Sequence, residues 1–322
     1  MTRAKHGSNV RKVIALVIIV LLAAVLYIFV NVNMKYFSYA MKLRILNLIV
    51  MIITAFCIGS ASIVFQSIIN NTIVSPCLLG MNSLYSLIHT LVVFFFGTTS
   101  VLARNANLSF AVDVVLMGIA ATIIYGCLFR KTKYNVLYVL LAGTIMTTFF
   151  ASVQTSLVRA MDPNEYDTLL RTLVASFNNV NADIIAFALI LITVLIFALR
   201  RELAILDVIT LGKEQAVNLG VDYDRTIRRL LLGVTLFIAV ATAMVGPISF
   251  LGLIIANLSR QLFKTYRHTY LIAGSALTGM VILVGGQIIV EHVFTYSIPV
   301  SVFITVGGGV YFLCLLLRHR RA

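Results

Sequence analysis

Hydrophobic runs of about 20 residues, each bounded by charge, proline or asparagine, recur along the whole chain, and such a run is the length of one helical crossing of a bilayer. Nine runs qualify, at about residues 14–32, 45–69, 77–97, 110–129, 136–158, 183–199, 227–246, 269–292 and 300–317, and a shorter tenth lies at about 250–262. Ten spans and their loops use nearly all of the 322 residues and leave no length for a soluble catalytic domain. The expected fold is all-α, a polytopic membrane protein of about ten transmembrane helices in a single domain, 1–322. Composition agrees: 11% of residues are charged and 61% hydrophobic, whereas a soluble domain carries roughly 25% charged residues.

The first run follows Arg3, Lys5, Arg11 and Lys12, as in a signal peptide, but no Ala-x-Ala-like cleavage site follows it, so a retained first helix is expected. The net charge of +14 is read as a topology signal before a nucleic-acid signal. Of the 25 basic residues, 19 fall on the N-terminus, the loops near 130–135, 200–229 and 260–268, and the C-terminus. The other six, Lys35, Lys42, Arg44, Arg104, Arg159 and Arg171, belong to the opposite side. Positive-inside bias then places both termini in the cytoplasm and removes any need for nucleic acid as a partner.

Within the spans little is ionisable. Asp113, Asp183, Glu291 and His292 fall towards ends, where water or headgroups can reach them, and His89 alone is central. It is either a pathway residue or an imidazole satisfied inside the bundle. Cys57, Cys77, Cys127 and Cys314 stand singly in or beside apolar runs, without the Cys-x-x-Cys spacing of a metal or redox centre, and are expected as packing residues. Gly118, Thr122 and Gly126, and Ala239 with Ala243, are small residues at fourfold spacing and should mark close helix contacts.

Two segments do not span. Residues 164–178 place Tyr166, Leu169, Leu170, Leu173, Val174 and Phe177 on one helical face, predicting an external amphipathic helix, either interfacial or part of a gate. Within the cytoplasmic stretch at about 200–229, residues 211–220 read as a short helix between Gly212 and Gly220, with Glu214 in its first turn. Two turns alone are marginal in water, so either its own bundle or a cytoplasmic partner must hold it.

These segments are also where the chain resembles a known family, the FecCD-type permeases of ATP-binding-cassette importers for ferric siderophores, haem and cobalamin. Residues 211–220 resemble its Leu-Gly-acidic/basic-x-Ala-x-x-Leu-Gly segment. Residues 246–253 match Gly-Pro-Ile-x-Phe-x-Gly-Leu, residues 298–301 resemble Leu-Pro-Val-Gly, and residues 71–80 resemble Asn-Pro-Leu-Ala-x-Pro-x-Leu-Leu-Gly.

The resemblance implies a cobalamin-importer-like permease fold in the bacterial cytoplasmic (inner) membrane. It also implies a second permease subunit, two cytoplasmic ATPase subunits and an external substrate-binding protein. ATP and Mg would be held by the ATPase, and this chain has no Gly-x-x-x-x-Gly-Lys-Ser/Thr of its own; it is expected to be a transport subunit, not an enzyme, with no cofactor. Leu211, Gly212, Lys213, Glu214, Ala216, Leu219 and Gly220 would couple to the ATPase, with Ala216 small enough to seat in a groove. Gly246, Pro247, Asn257, Arg260, Pro299 and Gly307, with His89, are pathway or gate candidates, and Lys42 with Arg44 stands loosely for the basic sites that dock the binding protein.

Departures from the family pattern narrow the branch. Residues 254–260 keep Arg260 but lack the usual Pro and His, residues 307–309 are Gly-Gly-Gly where Gly-Ala-Pro is usual, and Leu84 and Tyr85 stand where small residues are expected. With the continuation 262–268 these features are similar to the anguibactin and petrobactin branch, which favours a ferric siderophore over haem or cobalamin. Ferric catecholates are usually anionic, which agrees with a pathway free of carboxylates and lined by Tyr, Ser, Thr and Gly. A secondary transporter would explain the spans but predicts retained central charges and leaves the 211–220 helix without a purpose. An intramembrane enzyme would need facing catalytic groups, and only His89 with Ser86 is near enough in sequence to be considered.

Overall fold

The computed structural model describes residues 2–30, 36–98, 100, 105–131, 136–177, 181–294 and 298–319. Lys35, Arg104, Lys133, Arg320 and Arg321 of the charge count lie outside them.

Among the described residues thirteen α-helices follow one another: α1 Thr2–Phe29, α2 Phe37–Ile69, α3 Met81–Phe96, α4 Ala106–Lys131, α5 Val136–Arg159, α6 Pro163–Leu173, α7 Ala182–Ala204, α8 Leu206–Ile209, α9 Lys213–Asn218, α10 Tyr223–Val245, α11 Leu251–Phe263, α12 His268–His292 and α13 Val300–His319. Seven (α1, α2, α4, α5, α7, α10 and α12) contain stretches long and apolar enough to cross a membrane, and α3, α11 and Val300–Cys314 of α13 are shorter apolar helices. Together they occupy the ten predicted positions.

The third position differs from a plain span. Ser75 caps a 3-10 turn over Pro76–Leu79, and Gly80 (φ +80) restarts the chain as the 16-residue α3. At 1.5 Å per residue α3 reaches only about 24 Å, and the 13-residue α11 only about 20 Å, both short of about 30 Å of hydrocarbon.

Burial grades the helices. Of the apolar windows, 78% of α2 and 72% of α10 lie inside, against 6% for α1 and 11% for α5, so α2 and α10 form the centre and α1 and α5 the rim. α2 packs along α12 through small residues. A Cβ on Gly59 would meet Ser275 Oγ at 2.9 Å, and one on Gly279 would meet Ala55 Cβ at 3.1 Å. Without a hydrophobic gain from leaving lipid, such close approach supplies the dispersion contact that joins helices. Gly118 likewise faces Leu236 of α10 and Ala239 is fully buried, whereas Thr122 is exposed. Cys57 is buried, but Cys127 and Cys314 face outward.

α7 connects the two ends of the bundle. α6 precedes its start, and α8 and α9 follow its end, so α6 and α9 lie at opposite ends. α6 opens with Asp162, whose Oδ1 accepts from Asn164 N–H at 2.8 Å, and with Pro163 in the first turn. It stops at Leu173, short of the expected 178, because the chain turns extended at Val174 and Ser176 N–H donates to Val245 O at 2.8 Å. Leu169 and Phe177 of the predicted apolar face are buried, while Leu170 and Val174 are exposed.

Candidate functional site

At the α9 end, the predicted short helix is present and both flanking glycines are needed by the backbone. Gly212 has φ +101 and Gly220 φ +81, conformations costly to a residue with a Cβ. Between them the chain closes on itself through Ala216 N–H to Gly212 O (3.0 Å) and Val221 N–H to Ala216 O (3.0 Å). Lys213 Nζ reaches both oxygens of Asp224 at 2.9 and 3.0 Å, tying the helix start to α10.

Ala216 is fully buried within its own chain, so its small size seats the loop rather than offering a face to a partner. The outward side chains are Leu211, Val217 and Leu219, 52%, 52% and 64% exposed. They are interleaved with Lys213, Glu214, Asp222 and Arg225, a setting for water rather than for lipid. Glu214 is exposed as well. These three large apolar groups, on and beside a short solvated helix, form a small exposed apolar knob.

Polar groups also converge at this end. Arg260 Nη2 donates to Ser67 Oγ at 2.8 Å, and Arg260 Nε donates to Gln66 Oε1 at 3.3 Å. Asn257 Nδ2 and Gln66 Nε2 each donate to Thr72 O at 2.9 Å. Asn257 and Arg260 therefore sit together where α2 ends and α11 passes.

At the α6 end, Gly246 (φ +89) makes a backbone crossing. A Cβ there would lie 2.9 Å from Ala175 Cα, and Ser301 Oγ of α13 donates to Ala175 O at 3.3 Å. Residues 174–177 are thus strung between the end of α10 and the start of α13. One cavity of about 270 Å³, lined by Tyr85, His89, Asp113, Arg171 and Gly246 among others, borders this segment at Val174 and Ser176. Another of about 250 Å³, lined by Arg171, Gln287 and Pro299, borders it from Val174 to Phe177. Pro247 is half-buried beside Gly246, and Gly307 is exposed on α13 with nothing within 4 Å of a Cβ.

His89 is not isolated. Its Nε2 lies 2.9 Å from Asp113 Oδ2, and Tyr85 packs against its ring at 4.4 Å between centroids. Asp113 is 3% exposed and lies about 10 Å into α4, so the expectation that its carboxylate meets water near a span end fails. A span does hold an interior acid, and the argument against a gradient-driven carrier from missing central charge no longer stands by itself.

Arg44 is also committed inside the fold. Its Nη1 donates to the carbonyls of Tyr27 (2.9 Å), Ile28 (3.2 Å) and Val30 (2.7 Å), capping the end of α1, while Nη2 pairs with Glu291. A guanidinium at a helix C-terminus satisfies orphan carbonyls and the helix dipole together. Only Lys42 of the predicted docking pair is exposed. Asp113, Glu291, Gln66 and Ser67 were missed as site residues. Asp113 was visible as a carboxylate within a span, but no spacing rule links it to a partner 24 residues away.

Outward on α5, Thr144, Thr148, Ser152, Thr155 and Ser156 form an exposed row of hydroxyls, and an open groove of about 430 Å³ is lined by Thr144, Thr148 and Ser152 together with the exposed Ile145 and Phe149. Each hydroxyl returns a hydrogen bond to a carbonyl three or four residues earlier, at 2.8–3.1 Å.

Comparison with known proteins gives the family and the fold. Residues 13–318 match the FecCD transport family. The chain is 39% identical over 285 residues to the petrobactin import system permease protein YclO of Bacillus subtilis, covering 88% of this chain and 90% of that one. It is 37% identical to the petrobactin import system permease protein FatC of Bacillus anthracis, covering 87% and 79%. A solved inward-facing metal-chelate type ABC transporter chain superimposes with a TM-score of 0.80 at 20% identity, covering 96% of this chain and 99% of that one, which establishes the fold.

Proposed function

The chain belongs to the FecCD transport family, and from that premise we propose that it is the membrane-spanning permease subunit of an ATP-driven importer that carries ferric siderophores across the cytoplasmic membrane. The identity to two petrobactin import permeases along most of the chain carries the choice of substrate.

In this reading a second permease subunit, the same chain or a homologue, faces α5, and the hydroxyl row from Thr144 to Ser156 lines the path between them. Hydroxyls bonded to their own helix survive in lipid, but a row of five serves a polar chelate better than it serves acyl chains. The α9 end faces the cytoplasm, as the basic excess there requires. Two ATPase subunits bind ATP and Mg and grip the knob of Leu211, Val217 and Leu219. The α6 end receives substrate from an external binding protein, with Lys42 available to an acidic partner.

Uptake of a panel of radioiron chelates by cells carrying or lacking this chain tests the reading. Loss of ferric siderophore uptake alone supports it. Loss of haem or cobalamin uptake with siderophore uptake intact would replace it.

A further inference from the structure

The polar cluster at the α9 end continues past Arg260 to the segment that precedes the knob. Asp207 lies in α8, four residues before Leu211. Its carboxylate accepts from the backbone N–H of His268 at 3.0 Å and pairs with the ring Nδ1 of the same residue. The other ring nitrogen, Nε2, lies 2.8 Å from Ser67 Oγ. Ser67 already accepts from Arg260 at 2.8 Å, and Arg260, Gln66 and Asn257 continue to Thr72 O.

The donors and acceptors run in one direction. With Nδ1–H given to Asp207, Nε2 of a neutral ring is an acceptor, so Ser67 must donate its hydroxyl proton there and keep its lone pairs for Arg260. Each link thus prepares the next, and such chains reinforce one another in a low dielectric. Gln66, Ser67, Asn257 and His268 are 1%, 5%, 6% and 5% exposed, while the Asp207 side chain is 40% exposed. Asp207 is thus the most exposed member of the network, directly before the knob, while Arg260 and Thr72 at its other end are half-buried.

Hydrogen bonds differ from apolar contacts in what a small displacement does. Packed methyl groups slide, but a bond near 2.8 Å is lost within about 1 Å of travel. A movement of α8 must either break the Asp207–His268 contact or carry His268, Ser67 and Arg260 with it. A contact that is either kept or lost is the kind of element through which one site can bias another.

We propose that Asp207 and His268 are positioning residues that tie the docking segment to the polar cluster formed by the end of α2, the turn at Thr72 and α11. This rests on the importer reading above. Asp207 and His268 touch no substrate; they fix where Asn257 and Arg260 stand for each position of α8.

The test uses the assembled complex in proteoliposomes, with iron imported and ATP hydrolysed measured together. Asp207→Ala is expected to keep hydrolysis while iron per ATP falls about fivefold or more. Asp207→Asn, which keeps an acceptor oxygen for His268, is expected to restore the ratio to within about twofold of wild type. If Asp207→Ala fails to assemble, Ser67→Ala carries the test, since it deletes the central hydroxyl at the cost of one atom. An unchanged ratio in an assembled Asp207→Ala or Ser67→Ala complex overturns the proposal, as does equal loss in Asp207→Asn and Asp207→Ala. Wild-type complex with no ATP-dependent uptake would instead strike the importer reading itself.

Discussion

His89 Nε2 and Asp113 Oδ2 meet at 2.9 Å between α3 and α4, both side chains nearly sealed, on the wall of a cavity beneath α6. Removing one partner of a buried polar pair leaves the other unsatisfied, whereas removing both leaves only a packing change. Asp113→Leu is therefore expected to destabilise the protein by about 3 kcal/mol. The double variant His89→Leu/Asp113→Leu should recover part of that loss. Thermal unfolding in detergent measures both, and a double variant as unstable as the sum of the singles would show that the pair is not a unit.

The backbone crossing at Gly246 gives a second expectation. Ala at this position would carry φ +89 and bring its Cβ to 2.9 Å from Ala175 Cα. The left-handed conformation and the overlap together should cost about 2 kcal/mol and displace residues 174–177. Protease sensitivity near Val174 and uptake should change together in Gly246→Ala. Wild-type behaviour in both assays would remove the crossing from the account of the gate.

Arg44 and Lys42 separate in their roles. Arg44→Ala uncaps α1 and strands Glu291, so it should lower stability by about 2 kcal/mol and leave the affinity for an external binding protein unchanged once the protein is folded. Lys42→Glu should do the reverse, slowing association in a salt-dependent way with stability intact. Titration with the binding protein at two salt concentrations distinguishes them. Weakened binding in a fully folded Arg44→Ala would return Arg44 to the docking surface.

Much of this was legible in the sequence, and the remainder was hidden for physical reasons. Spans were readable because twenty apolar residues in a row have few other uses, and the helix of residues 213–218 because two glycines and a charged first turn bound it. Periodicity says which residues share a face of one helix but not which helices face each other. Hence Arg44 looked like a surface charge until α1 and α12 were placed around it, and Ala216 looked like a partner's seat until its own chain covered it. The Asp207–His268 contact joins residues 61 apart and lay beyond any local signal.

The knob gives the prediction closest to the coupling. Leu219→Asp or Val217→Asp places a charge in a contact expected to be apolar and should weaken ATPase association by about 2 kcal/mol or more, while leaving the bundle folded. Ala216→Arg should instead disturb the loop itself, because its side chain has no room inside the chain. Co-purification of the ATPase reads the first, and limited proteolysis of residues 206–222 reads the second. Full ATPase retention by both Asp variants would place the contact elsewhere.

The energy source of transport is the property that most directly separates an ATP-driven importer from a gradient-driven carrier. Proteoliposomes holding the wild-type complex, with ferric siderophore and its binding protein on one side and ATP on the other, should accumulate iron only when ATP is hydrolysed, and Leu219→Asp should abolish accumulation with the chain still inserted. Iron accumulation driven by a proton or sodium gradient in the absence of ATP would contradict it.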